Sequence, residues 1–457
     1  MIGVGVALPG LITMQGMDPW AAAALGRMQA PPDDFVQRLD AGARIYRADG
    51  VLDQLDALWV TGSYSQAAAR LNLVPWTGTV TNVLPNGEMV GAATGAPGTM
   101  PTGWASVFTV GGITRQVVGA GTVNGLRYID VRFSGVPASA SGIGIPLSPT
   151  NACPGVVGGR MTASLYLALV GGSLTGTTLT RVNYTEYNAS NVFVVSDFNV
   201  IPAASITLTS ALTRVSGTRV LTGATAAFVM PALEIGHGTG AIDLTLRIAA
   251  PQLVRMDVPG NYIPTSGAAA SQVQMLYRWD LSEINNPTWT AWAPGAPGGY
   301  GGTASYLDTN ADPSIDFTRA SLNSAAYGAW VASETTSSAR VLGQTNSTTI
   351  ISPRSPSDQA NIRVHDTGTL TASVATSVGL TAGNRSASMA RQLYRNGIAL
   401  SSDAFASSSM STELWLLRAA SSYHPGQVSA AFAGASLTAA QHLAIYRGTA
   451  AILGVTP

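Results

Sequence analysis

Few side chains in this sequence are spaced to do chemistry. In DTNADPSID, residues 308 to 316, Asp308, Asn310 and Asp312 fall at alternate positions, the opening of an oxygen-ligand loop such as calcium uses. The Gly and distal Glu of an EF-hand are missing, and turn residues bonding their own backbone produce the same spacing. Calcium through these three is the one metal the sequence suggests; no other cofactor is expected. His237, His365, His424 and His442 sit in separate segments without metal-ligand spacing. The acids Asp130, Glu186, Asp197, Glu234 and Asp243 stand singly, whereas glycan cleavage needs a facing pair. No G-x-S-x-G elbow follows an apolar strand, and the glycine clusters lack the Lys or βαβ frame of a phosphate loop. No catalytic residue is assigned, and the expectation is a protein that is not an enzyme.

What remains is recognition. Sugars ask for aromatic rings against their apolar faces and planar polar groups for their hydroxyls. In LRYIDVRF, Tyr128, Asp130 and Arg132 share one face while Ile129, Val131 and Phe133 share the other. Tyr166 of ASLYLALV and Arg247 of IDLTLRIAAP occupy the same polar phase on other strands. Tyr184 and Tyr187 flank Glu186 in a stretch read as a loop. Trp330, Trp415, Tyr423 and His424 are the counterparts nearer the carboxyl end. Each has a plainer reading: Trp is usually core, and Tyr or Arg on a wet strand usually covers the sheet.

The elements positioning these residues come from a chain of 457, long enough for two or three domains. Charged residues make up 11%, under half the usual share of about 25%. With 24 basic and 24 acidic residues, nothing draws the chain to nucleic acid or an anionic membrane. Cys153 is the single cysteine, so no intrachain disulfide forms, and a buried thiol is expected. The start, MIGVGVALPGLITM, is apolar but broken by Gly and Pro and has no basic flank, unlike a signal peptide or a membrane span. Residues 1–32, with Trp20 isolated among them, read as an anchor whose apolar surface needs cover from sister subunits or a docking protein.

Residues 33–75 read as a short helical segment. Pro31, Pro32, Asp33 and Asp34 suit a helix start, and Phe35, Leu39, Ala43 and Tyr46 recur at helical spacing. Leu52, Leu55, Leu58 and Trp59 form a second apolar stripe, and Ser65 caps QAAARLNL. From Trp76 the period changes to 2, in strands separated by turn-forming linkers such as EIGHGTG. After the connection PTWTAWAPGAPGGYGG a second Thr- and Ser-rich β region runs to Glu413, and Thr438 with Gln441 makes a capping box.

The stretch 33–74, above all LDQLDALWV and SQAAARLN, resembles a segment of bacteriophage tail and fibre proteins that precedes a concanavalin-A-like (laminin-G-like) sandwich. NPTWTAWAPGAPGGYGGTASYLDT, residues 286 to 309, is similar to the opening of that sandwich, and LYRNGIAL followed by GASLTAAQHLAIYRG to its end. NVLPNGEMVGAATGAPGTMPTGW through PQLVRMDVPGNYIPTSG resembles a carbohydrate-binding-like jelly roll of phage tail proteins; similar spikes occur on gene transfer agents. The resemblance implies a mainly β protein, with a jelly roll over 76–270 and a concanavalin-A-like sandwich with a C-terminal helix over 271–457. It implies a virion surface protein, on tail or head, that attaches to host cell-surface polysaccharide. Such a protein would join other virion proteins through its N-terminal segment and act as a homo-oligomer, a trimer being favoured because weak sugar sites gain from multivalency. A structural tail, baseplate or capsid-decorating subunit and a polysaccharide depolymerase are the alternatives.

Overall fold

The computed structural model describes residues 16–410 and 412–457 and divides into two compact units. One unit spans residues 77–276; the other combines the chain up to 76 with 277–457. The protein is mainly β, built from antiparallel strand pairs. None of the described helices is long and apolar enough to cross a membrane.

Eight strands frame the 77–276 unit: Leu126–Gly135, Ser141–Pro146, Arg160–Ser173, Thr177–Tyr187, Phe193–Ile201, Thr213–Val220, Phe228–His237 and Ile242–Val254. In chain order, the first, eighth, third and sixth lie side by side in one sheet, here the Tyr128 sheet. The second, seventh, fourth and fifth form the other, the Tyr187 sheet. Strands that alternate between two sheets in this order make a jelly roll.

Period-2 patterning drives it. Ile129, Val131, Phe133, Leu246 and Ile248 of the Tyr128 sheet meet Ile143, Val182, Leu233 and Ile235 of the Tyr187 sheet in one core cluster. Each such side chain contributes roughly 1.5–3 kcal/mol by leaving water. Ile113–Val123 extends the Tyr128 sheet by a hairpin whose turn is Asn124-Gly125, both at positive φ, the geometry a two-residue turn requires. Cys153 is fully buried in this core, and burial pushes its thiol up to about 11.

The second unit is a sandwich of two larger sheets. One runs Thr288–Thr290, Gly299–Gly301, Val428–Gly434, Ala325–Val331, Gly379–Ala387, Ala390–Arg395, Ile398–Asp403. The other runs Ser282–Ile284, Tyr306–Asp308, Trp415–Leu416, Leu342–Gly343, Thr349–Ser352, Gln359–Val364, Leu370–Ser373. Within it Asp366, fully buried, accepts from Arg385 and from Arg391 at 2.6 Å each. Helices Asp33–Ala48 and Ala439–Leu453 share one of its apolar clusters, and the expected Thr438–Gln441 capping box is present. The helices meet where both lack a side chain: a Cβ on Gly42 would lie 2.7 Å from the Gly448 carbonyl, and one on Gly448 would lie 2.3 Å from the Tyr46 ring.

Two local expectations are corrected. The stripe Leu55 to Trp59 is a strand, Leu55–Trp59, paired with Val428–Gly434 inside the sandwich sheet. All five of its residues are buried, so no period distinguishes strand from helix in the sequence. Its Asp56 is held by backbone N–H groups of Thr318, Arg319 and Ala320 at 2.9, 3.0 and 2.8 Å. Trp20 is not an isolated surface residue either. It lies in the helix Pro19–Leu25, packed edge-on against Tyr46 at 6.0 Å, so its cover comes from its own chain. Residues 1–15 of the expected anchor lie outside the described residues.

Candidate functional site

The structure brings Tyr128, Asp130, Arg132, Tyr166 and Arg247 together on the outer face of the Tyr128 sheet, where neighbouring strands place them in register. There they engage one another and their neighbours. Arg247 reaches both carboxylate oxygens of Asp130 at 2.8 Å while its guanidinium lies 3.8 Å from the Tyr128 ring centroid. Arg132 grips Asp243 in the same forked way, also at 2.8 Å, and holds that carboxyl below its usual range. Arg214 lies 5.7 Å over the Tyr166 ring and donates to Ser164 at 2.9 Å. The planar groups the sequence offers to sugar hydroxyls are largely spent on this ladder.

Several other candidates lie inside the protein. Tyr184 is fully buried, its hydroxyl donating to the Met161 carbonyl at 3.2 Å. The loop expected around it is the strand Thr177–Tyr187, so Tyr184 and Tyr187, three apart, face opposite ways. Trp330 stacks on Tyr446 at 5.4 Å within the core beneath the terminal helix. His424 accepts from the Gly426 N–H at 3.0 Å, and burial pulls its pKa down to about 4. These three are packing residues, removed from any sugar-facing surface.

Trp415 and Tyr423 share an aromatic box with Tyr306, and its centre is taken: Arg418 lies 4.3, 5.4 and 4.5 Å from the three ring centroids. Asp308 accepts from the Asn310 backbone at 2.7 Å, and Asp312 from that of Ser314 at 2.9 Å. The Asn310 carboxamide donates to the Asp280 carbonyl at 2.6 Å. Such bonds are those of successive Asx turns. Among the described residues, no group of three His, Cys, Asp or Glu is placed to hold a metal ion.

The outer face of the Tyr187 sheet is different. Phe228 pairs with Tyr187, and Tyr187 with Phe193, so three aromatic residues occupy one row across three strands. Phe193 is 59% exposed. Further along, Arg181 meets Glu234 at 3.0 and 3.1 Å, and the Asn183 amide donates to the same carboxylate. Phe198, 51% exposed, lies 5.0 Å from the Arg181 guanidinium. On the opposite flank the Glu234 side chain lies over Gly142, and Phe108, 60% exposed, bridges to Gly144. The Asn183 side-chain oxygen is buried and accepts no hydrogen bond from the described residues.

Of this face, the sequence reading reached only Tyr187. The missed signal is the alternation in TRVNYTEY, where Arg181, Asn183, Thr185 and Tyr187 share one side against Val182, Tyr184 and Glu186. The pairing that aligns Phe228, Tyr187 and Phe193 joins segments far apart in sequence and has no local signature. Chemically the face offers rings, an amide and a guanidinium–carboxylate pair, all suited to hydroxyl-rich ligands. Its one carboxylate, Glu234, is bound to Arg181. Elsewhere in the jelly roll Asp197 is paired with Arg219, and Glu186 takes N–H groups of Thr222 and Gly223 at 3.2 and 2.9 Å.

No family model matches the chain, and no curated protein matches it in sequence. Among solved structures it is similar to the CBM22-1 xylan-binding domain from Paenibacillus barcinonensis Xyn10C, at 14% identity and TM-score 0.24, over 37% of this chain and 97% of that domain. It is similar to a CBM4 structure at 13% identity and TM-score 0.23, over 37% of this chain and 98% of that one. It is also similar to the enzymatically active domain of tailspike protein 4 of bacteriophage CBA120, at 8% identity and TM-score 0.19, over 33% of this chain and 19% of that one.

Proposed function

We propose that this protein is a non-enzymatic surface protein of a phage or phage-like particle, attaching the particle to host-cell glycans through the outer face of the Tyr187 sheet. The observation that carries the glycan reading is the row Phe228, Tyr187 and Phe193 beside the Arg181, Asn183 and Glu234 cluster. Rings stack on the apolar faces of sugars while the planar polar groups take hydroxyls, and this face combines both on a rigid sheet. Its placement on a virion rests on the tail-fibre resemblance of residues 33–74 and 286–309. A homotrimer is the expected assembly, since an open face of this kind binds sugars weakly and repetition on one particle raises avidity.

The test is adsorption. The full-length protein is applied to a glycan array and to envelope and capsule material from candidate hosts, with reducing ends assayed after incubation. Binding without release of reducing ends is expected. Absence of binding to every surface material would overturn the attachment role, and release of reducing ends would replace it with a depolymerase.

A further inference from the structure

The aromatic row has a continuation. At its Phe228 end the next position across the sheet is Pro154, whose backbone bridges to Phe228. Pro154 also lines a groove of about 600 Å3 within the same unit, with Thr79, Thr81, Arg255 and Met256 among its walls. That volume falls in the range of small-molecule sites, roughly 300–1,000 Å3. Arg255 donates its Nε to the Pro154 carbonyl at 2.9 Å, which fixes the guanidinium against the groove wall. Its two terminal nitrogens bond no other described residue. Unlike Arg132, Arg181 and Arg247 in this unit, each forked onto an acid, Arg255 carries a fork with no acid in it among the described residues.

We infer that this groove takes the carboxylate of an acidic sugar whose neighbours in the same glycan lie along Phe228, Tyr187 and Phe193. The inference rests on the glycan-binding reading above and narrows it to acidic polysaccharide. A planar guanidinium anchored at Nε presents its remaining N–H groups in the geometry that matches a carboxylate's two oxygens. The Thr79 and Thr81 side chains supply hydroxyls for the rest of the ring, and Val83, Pro85 and Met256 supply apolar wall. Pro154, one strand spacing of about 4.8 Å from Phe228, belongs to both the row's edge and the groove wall, and it is the point at which a bound chain would pass from one to the other.

The experiment uses the full chain with polygalacturonate, alginate and polysialate, each beside its carboxyl-reduced counterpart. The native protein is expected to bind at least one acidic polymer about tenfold or more tightly than the reduced form, as charge-assisted hydrogen bonds imply. Arg255→Gln removes that preference by lowering the affinity for the acidic form toward that for the reduced one; Arg255→Lys restores part of it. Tyr187→Ala weakens both forms alike. Arg255 is exposed, so thermal unfolding of the Gln variant serves as the control for folding. Equal binding of acidic and reduced polymers by the native protein, or an unchanged preference in Arg255→Gln, overturns the acidic-sugar inference alone. Binding to none of the six polymers overturns it together with the glycan reading as applied to these polysaccharides.

Discussion

The Arg247 guanidinium lies 3.8 Å from the centroid of the Tyr128 ring, so the aromatic face the sequence offers outward is already covered by a cation. Arg247 cannot leave without also releasing Asp130, which it holds through two bonds of 2.8 Å. Replacing Tyr128 with Ala should therefore remove about 1 kcal/mol of stability, the order of a partly exposed cation–π contact. Glycan affinity should stay within about twofold of native, well under the hot-spot threshold. Urea unfolding and array titration of the same sample separate the two effects.

Tyr187 sits on the other face with no such partner over its ring. Tyr187→Ala and Phe193→Ala are each expected to weaken glycan binding about tenfold, the scale of a truncated aromatic anchor. Phe193 is mostly exposed, so its loss should leave the unfolding midpoint nearly unchanged. A drop in stability with affinity intact would assign these rings to the fold.

Asp366 is enclosed between two arginines that are themselves buried. Asp366→Ala leaves Arg385 and Arg391 short of their counter-charge, and stability should fall by about 3–5 kcal/mol. The loss is expected in the transition of the sandwich unit. Calorimetry resolving the two units tests it.

Three histidines make stability depend on pH. Burial lowers His365 and His424 to about 4 and His442 to about 3, from 6.5. Between those values the unfolded chain binds the protons that the folded chain refuses. Stability is therefore complete above about pH 6.5 and declines as pH falls, by up to about 1.4 kcal/mol per unit for each histidine. His442 stacks on Tyr394 at 3.7 Å with neither ring nitrogen hydrogen-bonded, so Phe is a near-isostere there. His442→Phe should flatten the acid limb by about a third. Unfolding free energies at pH 7, 6 and 5 give that slope.

Gly448→Ala places a methyl 2.3 Å from the Tyr46 ring, closer than any real contact. The helices Asp33–Ala48 and Ala439–Leu453 must then separate, at a cost of about 1–3 kcal/mol typical of overpacking. An exposed control such as Ala440→Gly should lose at most about 1 kcal/mol.

The sequence by itself determined the β class, the inward residues of cleanly alternating strands such as Leu126–Gly135, and the C-terminal helix cap. These depend on local spacing: Ile129, Val131 and Phe133 alternate with polar neighbours wherever the strand is placed, and Thr438 finds Gln441 within one turn. Only the tertiary structure decided which polar face stays free. In sequence Tyr128 reads as an aromatic on the polar side of a strand and Tyr187 as a loop residue, yet both stand on the outer face of a strand. What separates them is a cross-strand neighbour more than a hundred residues from Tyr128, Arg247, and the alignment of Phe228 and Phe193 beside Tyr187. Such pairings are set by sheet register over long sequence separations, and no local pattern encodes them.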